Sequence, residues 1–461
     1  MQDKGIQFGF IGCGQGGGKI ADLFARHGYK AIAVNTSPVD LAALNVIPSE
    51  YRIRIGTRLG AGKDPRVGQE AIRNDAEKVQ KVIEEYFYYE VDFIFVIACL
   101  GGGTGTGIAA DVLEISRRVG LSTGCLATIP LLSESLEEQK NALKGLDILS
   151  DVNPNPFYLI DNHLLRLKFG DQPVLEFWPK ANEAIVGLWD EINQIPNRLS
   201  NMFAFDREDF FRLLNTPGYF TPLRIELKLD GSSEPEWLAK MMREEVTALL
   251  TENSFQGECS RVAALLVCPE NYRINAESVE LVYQECQNLT NAPTLFRGLY
   301  SDPNLKNSVV LYLILAGLNP PTVRLQAIQN KLQELSPEII SRLNRSVITN
   351  FGDEIQDWDR PNPLPAARRS FGAPSSNPAT QPVETNPPPC EEATNPLIAA
   401  ETEETESEAT AVESESEANN GDYKVLTMDQ VMTLMETAGA AESSEGDSSF
   451  WDQFKLNNKK R

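Results

Sequence analysis

The chain has 461 residues, 42% hydrophobic and 8% aromatic, with a formal net charge of −23. That is enough apolar material for two ordinary domains with full cores and a further segment. The negative charge argues against a protein that grips DNA or anionic lipid through bulk electrostatics. Two histidines, His27 and His163, leave little room for histidine-based acid–base chemistry or a histidine-rich metal site. No apolar run approaches the roughly 20 residues that cross a bilayer, so no membrane insertion is expected. Seven scattered cysteines without C-x-x-C spacing read as buried small hydrophobes in a reducing compartment. The opening MQDKGIQFGFIGCG runs straight into an apolar segment without a charged leader. The expected location is cytoplasmic.

In chain order, the pattern predicts a strand over Ile6–Ile11, then a glycine loop opening a helix that runs through Ala25. A strand follows at Ala31–Asn35, a long helix at Val67–Tyr86 and a third strand at Asp92–Cys99. A second glycine loop opens a helix over Thr106–Val119, followed by a strand at Ser122–Pro130. Short apolar strands separated by helices predict a parallel, doubly wound sheet, which binds ligands at the carboxyl ends of its strands. Both glycine loops fall there. A long helix is predicted at Asn182–Gln194. The region beyond Thr221 carries strand candidates Leu223–Leu229, Arg261–Val267 and Val309–Ala316, with helices near Glu236–Thr251 and Ala276–Leu289. That is the pattern of a smaller mixed α/β domain. From about Asp357 the composition turns to Pro, Ser, Thr, Glu and Asn, which cannot bury enough apolar surface to offset chain entropy and predicts disorder. Two islands interrupt it: Tyr423–Ala438, with apolar residues at helical spacing, and Ser449–Arg461, where Phe450, Trp451 and Phe454 precede a basic end.

The first glycine loop, Gly12-Cys-Gly-Gln-Gly-Gly-Gly18, suits a phosphate, because glycine lets backbone amides approach closely and the helix N-terminus favours an anion. Its Gly12, Gly14 and Gly17 satisfy the dinucleotide pattern, yet the second strand ends in Asn35-Thr36 where an NAD site wants an acid. A Walker loop fails as well, since Ile20 stands where Ser or Thr is needed. The second loop, Gly101-Gly-Gly-Thr-Gly-Thr-Gly107, decides between them. Two loops on neighbouring strand ends, with hydroxyls at Thr104 and Thr106, can cradle a polyphosphate from two sides.

That second loop resembles the signature G-G-G-T-G-[TS]-G of the tubulin/FtsZ superfamily, and the resemblance extends in order over about residues 7–350. It implies a tubulin/FtsZ-like α/β fold: a doubly wound parallel-sheet GTPase domain (1–180), a central helix and catalytic loop (181–215), a second mixed-sheet domain (216–355) and a disordered acidic tail (356–461). It also implies GTP/GDP as ligand. Gly14, Gln15, Gly16, Gly17 and Gly18 of the first loop, Asn35 and Thr36 after the second strand, and Gly101, Gly102, Gly103, Thr104, Gly105, Thr106 and Gly107 of the second loop would line the site. Gly60, Ala61 and Gly62 would face the γ-phosphate. Pro130 and Glu134 belong to the ribose loop, while the family's arginine four residues on is replaced by Glu138. Asn162 and Asn182 match the two guanine-reading asparagines, whose amides offer donor and acceptor to the base edge. Trp178, a helical turn before Asn182, would lie over the base. Taken singly, Asn162 reads rather as a turn residue and Trp178 as a core aromatic; their occurrence together in order reverses that and favours the site.

The resemblance further implies that hydrolysis is completed by the next subunit, through Asp206 and Asp209 in the loop after the central helix. Ala204 stands where FtsZ carries an asparagine. Acids spaced three apart at a helix start also read as capping residues. Carboxylates beside phosphates repel without a cation, so Mg²⁺ is implied, with no protein metal cage. The segments Ile160–Leu165 and Leu214–Tyr219 tilt the match towards TubZ, the plasmid- and phage-borne branch that moves DNA. The expected partners are other copies, head to tail, and an adaptor captured by the tail motif, with DNA bound only indirectly. A cell-division scaffold is the rival from the same fold and an NAD-dependent oxidoreductase the rival from another class.

Overall fold

The computed structural model describes residues 4–200, 202–229, 235–252 and 258–333, all within one compact unit, Met1–Ser370. The second unit, Phe371–Arg461, the linker before it and both islands of the expected tail lie outside the described residues. Ten strands form a single sheet: β1 (Phe8–Cys13), β2 (Lys30–Asn35), β3 (Arg52–Arg54), β4 (Phe93–Cys99), β5 (Ser122–Ile129), β6 (Phe157–Asp161), β7 (Tyr219–Lys228), β8 (Arg261–Pro269), β9 (Thr294–Asp302) and β10 (Ser308–Leu318). Their order is β3-β2-β1-β4-β5-β6-β7-β10-β8-β9. The helices between them are α1 (Gly14–Arg26), α2 (Pro38–Ala42), α3 (Pro65–Asn74), α4 (Ala76–Phe87), α5 (Gly103–Arg118), α6 (Leu136–Val152), α7 (Asn162–Phe169) and α8 (Val174–Gln194). They continue as α9 (Arg207–Leu214), α10 (Pro235–Glu252), α11 (Ala276–Thr290) and α12 (Thr322–Gln333).

From β3 to β6 every pairing is parallel, the doubly wound arrangement expected from the alternation of strands and helices. β1 and β4 read as continuous apolar runs because helices cover both of their faces. Phe8, Phe10 and Phe95 point into one core with Trp189 of α8, while Ile11, Ile94 and Val96 point into the other with Ile108 and Val112 of α5. The join to the second half is narrow: β6 and β7 pair only through Phe157↔Tyr219 and Tyr158↔Phe220. Beyond it the sheet is mixed, with β7 and β8 antiparallel to β10 and β9 parallel to β8. A third core, from Leu238 and Met242 of α10 to Val282 and Tyr283 of α11, covers that half.

Among the described residues β3, β6, β9, α2, α7 and α12 have no counterpart in the expectation, and three further elements differ from it. The helix predicted over Val67–Tyr86 is two, broken at Asp75, which leaves helical geometry (φ −107°, ψ 14°) and turns its carboxylate to the Gly56 amide at 2.6 Å. The helix predicted from Asn182 starts at Val174, because Pro179, which reads as a stop, is carried inside it. Helix α6 was not foreseen; it begins at a reciprocal capping box between Ser135 and Glu138.

Candidate functional site

The carboxyl ends of β1, β4, β5 and β6 open onto a cleft of about 500 Å³. Two helices start there without a side chain capping their first turn: α1 after Cys13 and α5 after Gly102. Their first amides are therefore available to an anion, and both helix dipoles favour one. The glycines are what bring the loops together. Gly14 sits at φ +71°, and a Cβ on it would lie 2.7 Å from the Gly105 amide. On the other side a Cβ on Gly107 would lie 2.1 Å from the Pro65 carbonyl oxygen, so α5 packs backbone-close against α3.

Of the residues singled out in the sequence, Gln15, Gly16, Asn35, Ala61, Gly62, Gly102, Gly103, Thr104, Gly105, Glu134, Asn162, Trp178 and Asn182 all line this cleft. Gly14, Gly17, Gly18, Thr36, Gly60, Gly101, Thr106, Gly107 and Pro130 do not. Several of these shape the wall from behind it. The Thr36 and Thr104 hydroxyls hydrogen-bond each other at 2.7 Å. The Thr106 hydroxyl, expected to face a polyphosphate, instead accepts from the Gly101 amide at 2.9 Å and ties the loop to itself.

At one end of the cleft stand the amide side chains and the indole. Asn162 is the first residue of α7, whose N-cap is Asp161; the Asp161 carboxylate accepts from the His163 amide at 2.8 Å. The Asn162 side chain is buried and its Oδ1 has no hydrogen-bond partner, so an acceptor with no donor lies on the cleft wall. Trp178 is 41% exposed, an indole face left open on the first turns of α8.

Charges complete the site, and the sequence reading missed most of them. Lys19, Asp40 and Lys63 line the cleft with Glu134 and Glu138. Asp40 accepts from Gln15 and Asn35, each at 3.2 Å. Lys63 pairs with Glu138 at 2.9 Å; that bond raises the lysine pKa. Burial pushes Glu138 up, but hydrogen bonds from Ser135 and Lys63 outweigh it and hold the carboxyl below its ordinary value. Burial raises Glu134, against a hydrogen bond from the Leu131 amide. Lys63 follows the G-A-G of its loop, which was the only signal available. Asn141 of α6 then bolts that loop to the second glycine loop, donating to the carbonyls of Lys63 at 2.8 Å and Gly101 at 3.1 Å.

Asp206 and Asp209 are nowhere near this cleft. Asp206 is the N-cap of α9 and forms a capping box with Asp209: its carboxylate takes the Asp209 amide at 2.9 Å, and Asp209 returns the bond to the Asp206 amide at 3.4 Å. Burial raises the Asp209 pKa, and the Asp206 charge adds to it. The neighbouring Arg207 pairs at 2.7 Å with Asp92, just before β4 begins. Helix α9 therefore lies at the amino ends of the parallel strands. β4 alone, at about 3.3 Å per residue, puts about 20 Å between the acids and the glycine loops.

Comparisons with known proteins agree with this architecture. The model of the tubulin/FtsZ family GTPase domain matches residues 7–166. A tubulin-like protein CetZ of Pyrococcus abyssi is 32% identical over 333 residues, covering 67% of this chain and 84% of the relative. The cell division protein FtsZ 1 of Methanocaldococcus jannaschii is 26% identical over 328 residues, covering 69% of this chain and 85% of the relative. Among solved structures, a GTPγS-form protofilament of TubZ from Bacillus thuringiensis serovar israelensis superposes with a TM-score of 0.62 at 21% identity, over 75% of this chain and 95% of that one. The matches span three branches, so the TubZ branch expected from the sequence is not singled out, and the dinucleotide oxidoreductase reading drops away. The chain belongs to the tubulin/FtsZ family of GTPases.

Proposed function

We propose that this protein assembles head to tail and that each copy hydrolyses the GTP held by its neighbour. One observation carries the reading: the nucleotide cleft and the paired acids stand at opposite ends of the same parallel sheet, too far apart to act on one nucleotide within one chain. Stacking two copies along the strands brings the acids of one over the cleft of the other. Exposed apolar side chains occur at both ends, Leu59 and Leu175 beside the cleft and Leu199 beside α9, and would be covered by such a contact. The TubZ relative is described as a protofilament.

Within the cleft, Asn162 and Asn182 read the guanine edge and Trp178 stacks on the base. The free amides after Cys13 and Gly102 hold the phosphates, with Lys19 and Lys63 as the cations beside them. Phosphoryl transfer needs little beyond positioning and charge stabilisation, so the incoming Asp206 orients a water and Asp209, through the capping box, fixes its rotamer. Among the described residues no group of three or more His, Cys, Asp or Glu could hold a metal. Mg²⁺ would be carried chiefly by the phosphates, with Asp40, which lines the cleft beside Gln15, as a carboxylate that could hold it. The ion would neutralise charge developing on the phosphate oxygens. The finer use we assign is DNA segregation through an adaptor held by the C-terminal motif, on the strength of the TubZ-like segments Ile160–Leu165 and Leu214–Tyr219. A small DNA-binding gene and iterated DNA repeats beside the gene would support it; a division-gene cluster would favour a division scaffold.

The test is Asp206→Ala. It should leave GTP binding within about twofold and permit assembly, yet lower turnover by about 10²-fold or more, giving filaments that persist. Unchanged turnover would remove Asp206 from the mechanism.

A further inference from the structure

Helix α12 is the last described element, far in sequence from the glycine loops, yet it packs against the nucleotide-binding half. Ile328 is fully buried in the same core as Ala142 and Leu146 of α6. From this helix Arg324, 8% exposed, reaches the carboxyl ends of two neighbouring strands. Its Nε donates to Asp161 Oδ2 at 2.7 Å, and its Nη2 donates to the Pro130 carbonyl at 2.7 Å. Asp161 is the residue whose other oxygen caps α7 and so sets the first turn that carries Asn162. Pro130 opens the loop that carries Glu134. Two turns further along α12, Lys331 donates to the Leu132 carbonyl of that same loop.

We propose that Arg324 is a positioning residue for nucleotide recognition: one guanidinium locks together the turn that presents Asn162 to the base and the loop that presents Glu134 to the ribose, with Lys331 as the second brace on the ribose side. A guanidinium does this because its fork is planar and rigid, so two bonds to different strand ends fix their separation; a lysine ammonium on a flexible stem does not. Removing it leaves the Asp161 carboxylate, itself largely buried, without its countercharge, which disturbs the cap as well as the spacing. The inference rests on the assignment of the cleft to a guanine nucleotide.

The experiment measures dissociation constants of GDP, 2′-deoxy-GDP and ADP by competition, on the full chain and on four variants. Wild type should prefer GDP to ADP. Arg324→Met should lower that preference by about tenfold or more, equivalent to about 1.4 kcal/mol, and Arg324→Lys should not restore it. Asp161→Asn, which can still cap α7 but loses the ion pair, should fall between. Lys331→Met should leave the base preference intact and lower the preference for GDP over 2′-deoxy-GDP by about threefold. Should Arg324→Met fail to fold, Arg324→Lys and Asp161→Asn decide the matter. A merely structural role would weaken all three nucleotides by one common factor, leaving both ratios at the wild-type value, and that result overturns the proposal. A wild type that binds GDP and ADP equally would overturn the guanine assignment itself, and the positioning role with it.

Discussion

Glu138, in the first turn of α6, pairs with Lys63, which reaches it from the loop before α3. The pair is 2.9 Å apart, with the glutamate side chain the more buried of the two. Lys63→Ala would leave a carboxylate facing the phosphates unneutralised, so GTP affinity should fall by about tenfold. Adding Glu138→Ala should recover most of that loss; a double variant as weak as Lys63→Ala would show that the lysine acts on the nucleotide without reference to the glutamate. Asp111, on α5 one turn below the second glycine loop, is a different case. It is 1% exposed, neither oxygen has a hydrogen-bond partner, and burial pushes its pKa up to about 6, against the Arg73 charge. Here the folded value lies above the unfolded one, so the folded state binds the extra proton between about pH 4 and 6. Stability contributed by that proton is therefore lost as pH rises through this window, by about 3 kcal/mol once complete. In Asp111→Asn that component should vanish, so the thermal midpoint of the variant should gain on wild type from pH 4 to 6 and hold level above. A constant difference across the window would mean that Asp111 ionises normally. Neither environment was legible in the sequence, which marked Glu138 only as a departure from the family pattern, because a charge pair between a loop and a helix and a carboxylate turned inward both depend on tertiary placement.

At the scale of elements, what could be read in advance was periodic or punctuated. β1, β4 and β5 announce themselves as apolar runs between helices, and both glycine loops mark the strand ends that open on the cleft. The elements that escaped lack such marks. β9 is an edge strand whose residues alternate between core and solvent, but one of its inward positions is Gly298, so the apolar signal in the sequence is thin. α12 has a weak apolar stripe and makes its contacts through Arg324, Lys331 and a few buried aliphatics. The break at Asp75 follows from a partner, the Gly56 amide, that no local pattern reveals, and α8 continues through Pro179 where the local pattern reads as a stop. The fit of α5 on α3 is testable by Gly107→Ala. A methyl group placed 2.1 Å from the Pro65 carbonyl forces the helices apart, and a loss of about 1–3 kcal/mol in denaturant unfolding is expected. An unchanged midpoint would mean that α3 moves freely over α5.

Over the whole molecule, the proposed mechanism divides function between the two ends of one sheet. Asn162 and Asn182, singled out in the sequence, line the cleft, and Asp206 and Asp209, also singled out, cap α9 at the other end. Their separation was not readable, because it depends on which end of a parallel strand each loop leaves from. The single sheet running from β3 to β9 gives a stiff body between a nucleotide and the acids proposed to act on the next one. The direct measurement is GTP turnover per subunit against protein concentration, with polymer followed in parallel by sedimentation. Turnover should be close to zero at dilutions where nothing sediments and should rise steeply once polymer forms. Full turnover per subunit at a dilution free of polymer would contradict it, placing a complete catalytic site within one chain.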